Sequence, residues 1–60
     1  MIRVYNKETG AKIWDGADDQ VPQGVQVGDE ISFVEDMYKI EEITGQGEDR
    51  NLFVRHLHRK

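Results

Sequence analysis

The chain has 60 residues, no cysteine, one proline, six glycines and 33% charged side chains. That length holds one small domain, residues 1–60, and excludes a second, because domains run from roughly 50 to 200 residues. Without cysteine it also excludes a disulfide framework and a thiolate zinc site, the usual staples of so short a fold.

At roughly 25 cal/mol per Å² of buried apolar surface, a core of this size barely exceeds an ordering cost of roughly 1.5 kcal/mol per residue. Modest stability is expected, and a partner subunit in a homodimer would add to it. No apolar run approaches the roughly 18 residues of a membrane span, and the opening residues lack a signal-peptide core. A soluble, cytoplasmic protein is the expectation.

Twelve acids and eight basic residues give a formal charge of −4. Three of the cations, Arg55, Arg59 and Lys60, fall in the last six residues, so residues 1–54 carry five cations against twelve acids. An acidic body repels phosphate backbones, and nucleic acid is disfavoured as a partner.

Along the chain, Ile2-Arg3-Val4-Tyr5 alternates apolar with polar, and Ala11-Lys12-Ile13-Trp14 follows after Asn6 to Gly10. This predicts a hairpin closing on Gly10, since Asn and Gly tolerate positive φ best. Residues 15–24 hold the only proline, two glycines and three aspartates, which predicts a long exposed loop. Val25-Gln26-Val27 is a short extended piece, and Gly28-Asp29 turns into a strand Glu30-Ile31-Ser32-Phe33-Val34.

Met37-Tyr38-Lys39-Ile40-Glu41-Glu42-Ile43-Thr44 completes a second hairpin after Glu35-Asp36. Tyr38 and Ile40 share a face, and a bulge at Glu41-Glu42 is needed to bring Ile43 onto it. A helix over residues 35–43 is the alternative, with Met37, Ile40 and Ile43 at i, i+3, i+6. It strands Tyr38 and spans only about two turns, so the strand is preferred. Residues 45–51 read as a polar loop, and residues 52–58 resume strand character.

Five short strands bury an apolar face by curling into a small antiparallel barrel or bent meander, and the predicted class is all-β. The expected core is Ile2, Val4, Ile13, Val27, Ile31, Phe33, Tyr38, Ile40, Ile43, Phe53 and Leu57. Val25, Leu52 and Val54 are expected on the other surface.

Val27-Gly28-Asp29-Glu30-Ile31-Ser32-Phe33, then Met37-Tyr38-Lys39-Ile40-Glu41-Glu42-Ile43, then Leu52-Phe53-Val54 resembles the strand run of SH3-like small barrels. The opening Arg3-Val4-Tyr5-Asn6-Lys7-Glu8-Thr9 is similar in flavour to small phage and prophage accessory proteins such as the YopX type. The resemblance implies a fold used mostly for binding, and such folds host many unrelated functions.

Chemistry has few footholds. Asp15, Asp18 and Asp19 lack the ligand spacing of a calcium loop, and His56 and His58, expected on one face of a strand, have no third ligand nearby. Adjacent acids on a strand project to opposite faces and cannot flank a bond. No enzyme, metal or cofactor is expected.

The expected function is a protein-binding module, a phage or prophage accessory factor docking a host or viral protein. Its working surface would be Tyr5 and Trp14 as a joint aromatic platform beside Asp15, Asp18 and Asp19, the alternative being that Trp14 caps the barrel as its largest core residue. Two rivals are a nucleic-acid-binding barrel using Arg50, Arg55, His56, His58, Arg59 and Lys60 with Tyr38 or Phe53 for stacking, and a structural component whose edge strands join a neighbour's sheet.

Overall fold

The computed structural model describes residues 1–17, 19, 21, 24–33 and 35–59. Five strands form one curled sheet: β1 (Ile2–Asn6), β2 (Lys12–Gly16), β3 (Glu30–Phe33), β4 (Asp36–Gln46) and β5 (Asp49–Arg59). Their order across the sheet is β2-β1-β5-β4-β3. The protein is all-β, a half-barrel.

The sheet is mixed, which corrects the antiparallel expectation. β1 runs parallel to β5, with Ile2 opposite Arg50 and Asn6 opposite Val54, while the other three pairings are antiparallel. A meander would place the first and last strands apart; here the two lie side by side in the middle of the sheet.

The β1–β2 hairpin closes as its sequence dictates. Asn6 Oδ1 accepts hydrogen bonds from the Glu8 and Thr9 backbone N–H groups, its carbonyl accepts one from Gly10 N–H at 2.7 Å, and Gly10 sits at φ 79°. An asparagine side chain standing in for a backbone turn and a glycine in the left-handed region together fix the loop.

The β4–β5 hairpin is the frame, eleven residues in each strand. Its turn is tighter than the polar composition of residues 45–51 suggests: Gln46 pairs with Asp49, so only Gly47 and Glu48 lie outside the ladder. Near the middle, Ile40 pairs with Val54 and Glu42 with Phe53, leaving Glu41 as the extra residue of a bulge. That bulge returns Ile43 to the apolar face, where it packs against the core. The segment from Met37 to Ile43 is strand throughout, which removes the helical alternative.

The bulge divides the hairpin by neighbour. The half next to the turn carries β1 and then β2 on the β5 side, and the open half carries β3 on the β4 side. Bending at the bulge brings the two outermost strands together across the concave face. Trp14 from β2 meets Phe33 from β3 with ring centroids 5.3 Å apart.

The core fills this concavity with Ile2, Val4, Val21, Phe33, Tyr38, Ile40, Leu52 and Val54. Leu52 and Val54 are fully buried, and Phe53 between them lies on the outer face, so the expected parity of β5 is reversed. Val27 is 61% exposed, and Val21, from the segment between β2 and β3, takes a core place instead. Residues 25–27 are not a strand, Val34 lies outside the described residues, and no helix among the described residues is long and apolar enough to cross a membrane.

Candidate functional site

Tyr5 and Trp14 do not meet. Trp14 lies opposite Val4, a core residue, and its ring covers Phe33 on the concave face. Tyr5 is one residue along β1 and so projects from the convex face. The joint platform expected from the sequence is therefore split by the sheet itself.

What the convex face assembles instead is Tyr5 with Phe53. The two are partners in the parallel ladder, half-buried, with centroids 5.5 Å apart and planes 21° off parallel. On a sheet whose other face is the core, such a stack is an apolar island facing solvent, and aromatic pairs in this geometry attract beyond their area burial.

Four ion pairs surround that island. Arg3 reaches Asp49 at 3.1 Å, Lys7 reaches Glu42 at 3.5 Å, Lys12 reaches Asp15 at 2.6 Å and Arg55 reaches Glu41 at 3.7 Å. The rim is electrically matched, though the chain as a whole carries −4.

Two bulges build this rim. In β2, Trp14 pairs with Val4 and Lys12 with Tyr5, so Ile13 is extra, and Lys12 and Asp15 come to the same face although three residues apart. Their mutual hydrogen bond, followed by their opposite charges, holds the Asp15 carboxyl below its usual range and raises the Lys12 ammonium above its own. In β4, the bulged Glu41 is the residue that Arg55 finds.

Of the acidic loop, Asp15 belongs to this convex rim, Asp19 is exposed, and Asp18 lies outside the described residues. Among the described residues no three His, Asp or Glu side chains converge as metal ligands.

The basic residues of the rival reading are dispersed. Arg50 lies opposite Ile2 near the hairpin turn, half-buried, its Nε enclosed without a hydrogen-bond partner among the described residues. Arg59 lies at the far end of the same eleven-residue strand. Arg55 is paired on the convex face, and Lys60 lies outside the described residues.

His56 and His58 do not share a face, against expectation. Tyr38 pairs with His56 and Met37 with His58, so Leu57 is a third bulge and shifts the parity between the two histidines. His56 packs edge-on against Tyr38 at 5.4 Å, and its Nε2 lies 3.5 Å from an Asp36 carboxylate oxygen. Burial first, then the charge of the nearby Asp36 carboxylate, raise the Tyr38 phenol above its ordinary value of 10.0.

Phe53 is the site residue that the sequence reading placed in the core or left to nucleic-acid stacking. Its signal was the length of the β4–β5 turn: a two-residue connection sets Ile43 opposite Leu52, which sends Leu52 inward and Phe53 outward. No protein-family model, curated protein or solved structure matches this chain.

Proposed function

We propose that this chain is a non-enzymatic binding module that docks another protein through the convex Tyr5–Phe53 face, acting by occlusion or assembly without chemistry. The supporting observation is the stacked aromatic pair standing half-buried on the side of the sheet away from the core. Aromatic residues dominate interface energetics when a rim of weaker contacts shields them from water, and the four ion pairs supply such a rim.

The finer reading adds an SH3-like kinship for the half-barrel, a cytoplasmic setting and a phage or prophage accessory role against a host or viral protein. The kinship and the accessory role rest on the strand-run and N-terminal resemblances, and the cytoplasmic setting on the sequence's lack of a long apolar run. A nucleic-acid interface is the weaker proposal, because Arg3, Lys7, Lys12 and Arg55 on the convex face are already matched by carboxylates, and Tyr38 is buried.

The experiment is affinity capture from lysate with wild type, Phe53→Ser and Tyr5→Ser, repeated after nuclease and at high salt, with circular dichroism to verify folding. A protein captured by wild type under all conditions and lost with either folded variant supports the proposal. Capture that depends on nucleic acid, or is indifferent to both substitutions, contradicts it.

A further inference from the structure

We propose that the outer edge of β3, with the pocket beside it, takes up an extended basic segment of a partner protein by strand addition. This contact is separate from the convex aromatic face and does not depend on it.

Four stretches of strand have an unpaired side among the described residues: β2, β3, residues 41–46 of β4 beyond the start of β3, and residues 55–59 of β5 beyond the end of β1. A free edge offers backbone donors and acceptors to any extended chain, and bulges and cationic side chains are the usual means of blunting it. β2 carries the bulge at Ile13 and Lys12, residues 41–46 of β4 begin with the bulge at Glu41 and run into the hairpin turn at positive-φ Gly45, and residues 55–59 carry the bulge at Leu57 with Arg55 and Arg59. β3 has neither, and its register with β4 runs unbroken from Glu30 opposite Lys39 to Phe33 opposite Asp36.

The hydrogen-bonding direction follows from the ladder. Ile40 N–H donates to the Asp29 carbonyl, and the Ile40 carbonyl accepts from Gly28 N–H, both at 2.8 Å. In an antiparallel pair such positions recur every second residue, so Tyr38 and Asp36 bond Ile31 and Phe33. Glu30 and Ser32 then turn their N–H and C=O groups outward.

Directly beside this edge lies an open pocket of about 320 Å³, lined by Gly24, Val25, Asp29, Glu30 and Ile31. Val25 and Ile31 give it apolar walls, and Asp29 and Glu30 give it two carboxylates, neither within ion-pair distance of a described cation. A lysine or arginine suits both parts, laying its methylene stem on the walls and its charge among the carboxylates. Backbone pairing supplies the affinity of such a contact and the side-chain pocket supplies its selectivity. An acidic segment would meet like charge here.

The test titrates isotopically labelled full-length protein with a short peptide of alternating lysine and valine, and with its glutamate–valine counterpart, following backbone amide shifts. The expected result is saturable shifts centred on Asp29 to Ser32 and Gly24 to Val25 with the lysine peptide alone. Ser32→Pro removes an outward N–H and no bond to β4, and should weaken binding at least tenfold; Glu30→Gln should weaken it by about threefold. A lysine peptide N-methylated at alternate residues should bind as weakly as Ser32→Pro leaves the parent, which keeps the test decisive if that variant misfolds. Phe53→Ser should leave the peptide affinity unchanged, so that failure of this edge and failure of the aromatic face are told apart. Equal binding of both peptides, shifts on the convex face, insensitivity to N-methylation, or shifts at residues 30–32 that grow with protein concentration without peptide would each overturn the proposal.

Discussion

The two faces of the sheet treat aromatic residues in opposite ways. On the concave face Trp14, Phe33 and Tyr38 form a chain of ring contacts at 5.3 and 6.4 Å that closes the half-barrel where no strand pairing among the described residues joins β2 to β3. On the convex face Tyr5 and Phe53 stack on each other, half-buried, and are framed by ion pairs. The difference is one residue along each strand. Leu52 and Phe53 are both apolar in sequence, and the pleat decides which holds the fold together and which is left for a partner.

Trp14→Ala tests the concave half of this contrast and should cost about 3 kcal/mol of stability, because it removes the ring contact between the outer strands. For so small a core that is a large fraction of the total, and chemical denaturation should show much of the population unfolded in water. A near-native midpoint would mean that the curl does not depend on the Trp14–Phe33 contact.

Gly45→Ala tests the frame that both faces share. Gly45 has φ 83°, and a Cβ there would overlap the Asp49 carbonyl oxygen across the turn. About 1–3 kcal/mol should be lost, with a matching shift of the thermal midpoint.

The pH dependence separates the faces further. Tyr38 has its proton held more tightly in the folded state, so its contribution is complete below pH 10.0 and is lost as pH rises through the higher folded value. In Tyr38→Phe this part of the alkaline destabilisation should be missing from the melting curve, whereas Tyr5→Phe should keep it.

The smallest effect belongs to the convex rim. The Asp15 carboxyl is lowered from 3.8 and the Lys12 ammonium raised from 10.5, so the pair contributes fully between those values. Its contribution fades as pH falls through the depressed Asp15 value or rises through the elevated Lys12 value. The difference in melting temperature between wild type and Asp15→Asn should be small, constant inside that window, and reduced by salt because both groups are exposed.

Much of the fold was legible in local sequence. The Asn6 to Gly10 hairpin, the β3 strand and the bulge at Glu41-Glu42 follow from turn chemistry and from the parity conflict of Ile40 with Ile43. The parity of β5 was not, because residues 45–51 have the composition of a loop although five of the seven belong to the ladder. Once that turn is two residues long, Leu52 and Val54 must go inside. The parallel pairing of β1 with β5 is non-local, and no short-range pattern encodes it. The candidate site was legible in part: Tyr5 and Asp15 lie on the convex face, but the partner of Tyr5 is Phe53 and not Trp14. Ile13 and Leu57 hid their bulges because each reads as a normal apolar strand position.

The most direct test of the two-faced sheet is a side-by-side chemical denaturation of Leu52→Ser and Phe53→Ser. Leu52→Ser places a hydroxyl at a fully buried core position and should cost more than about 3 kcal/mol, while Phe53→Ser gives up a half-exposed stack and should cost about 1 kcal/mol. If Phe53→Ser proves the more damaging of the two, the core lies on the other side of β5 and the convex binding face does not exist.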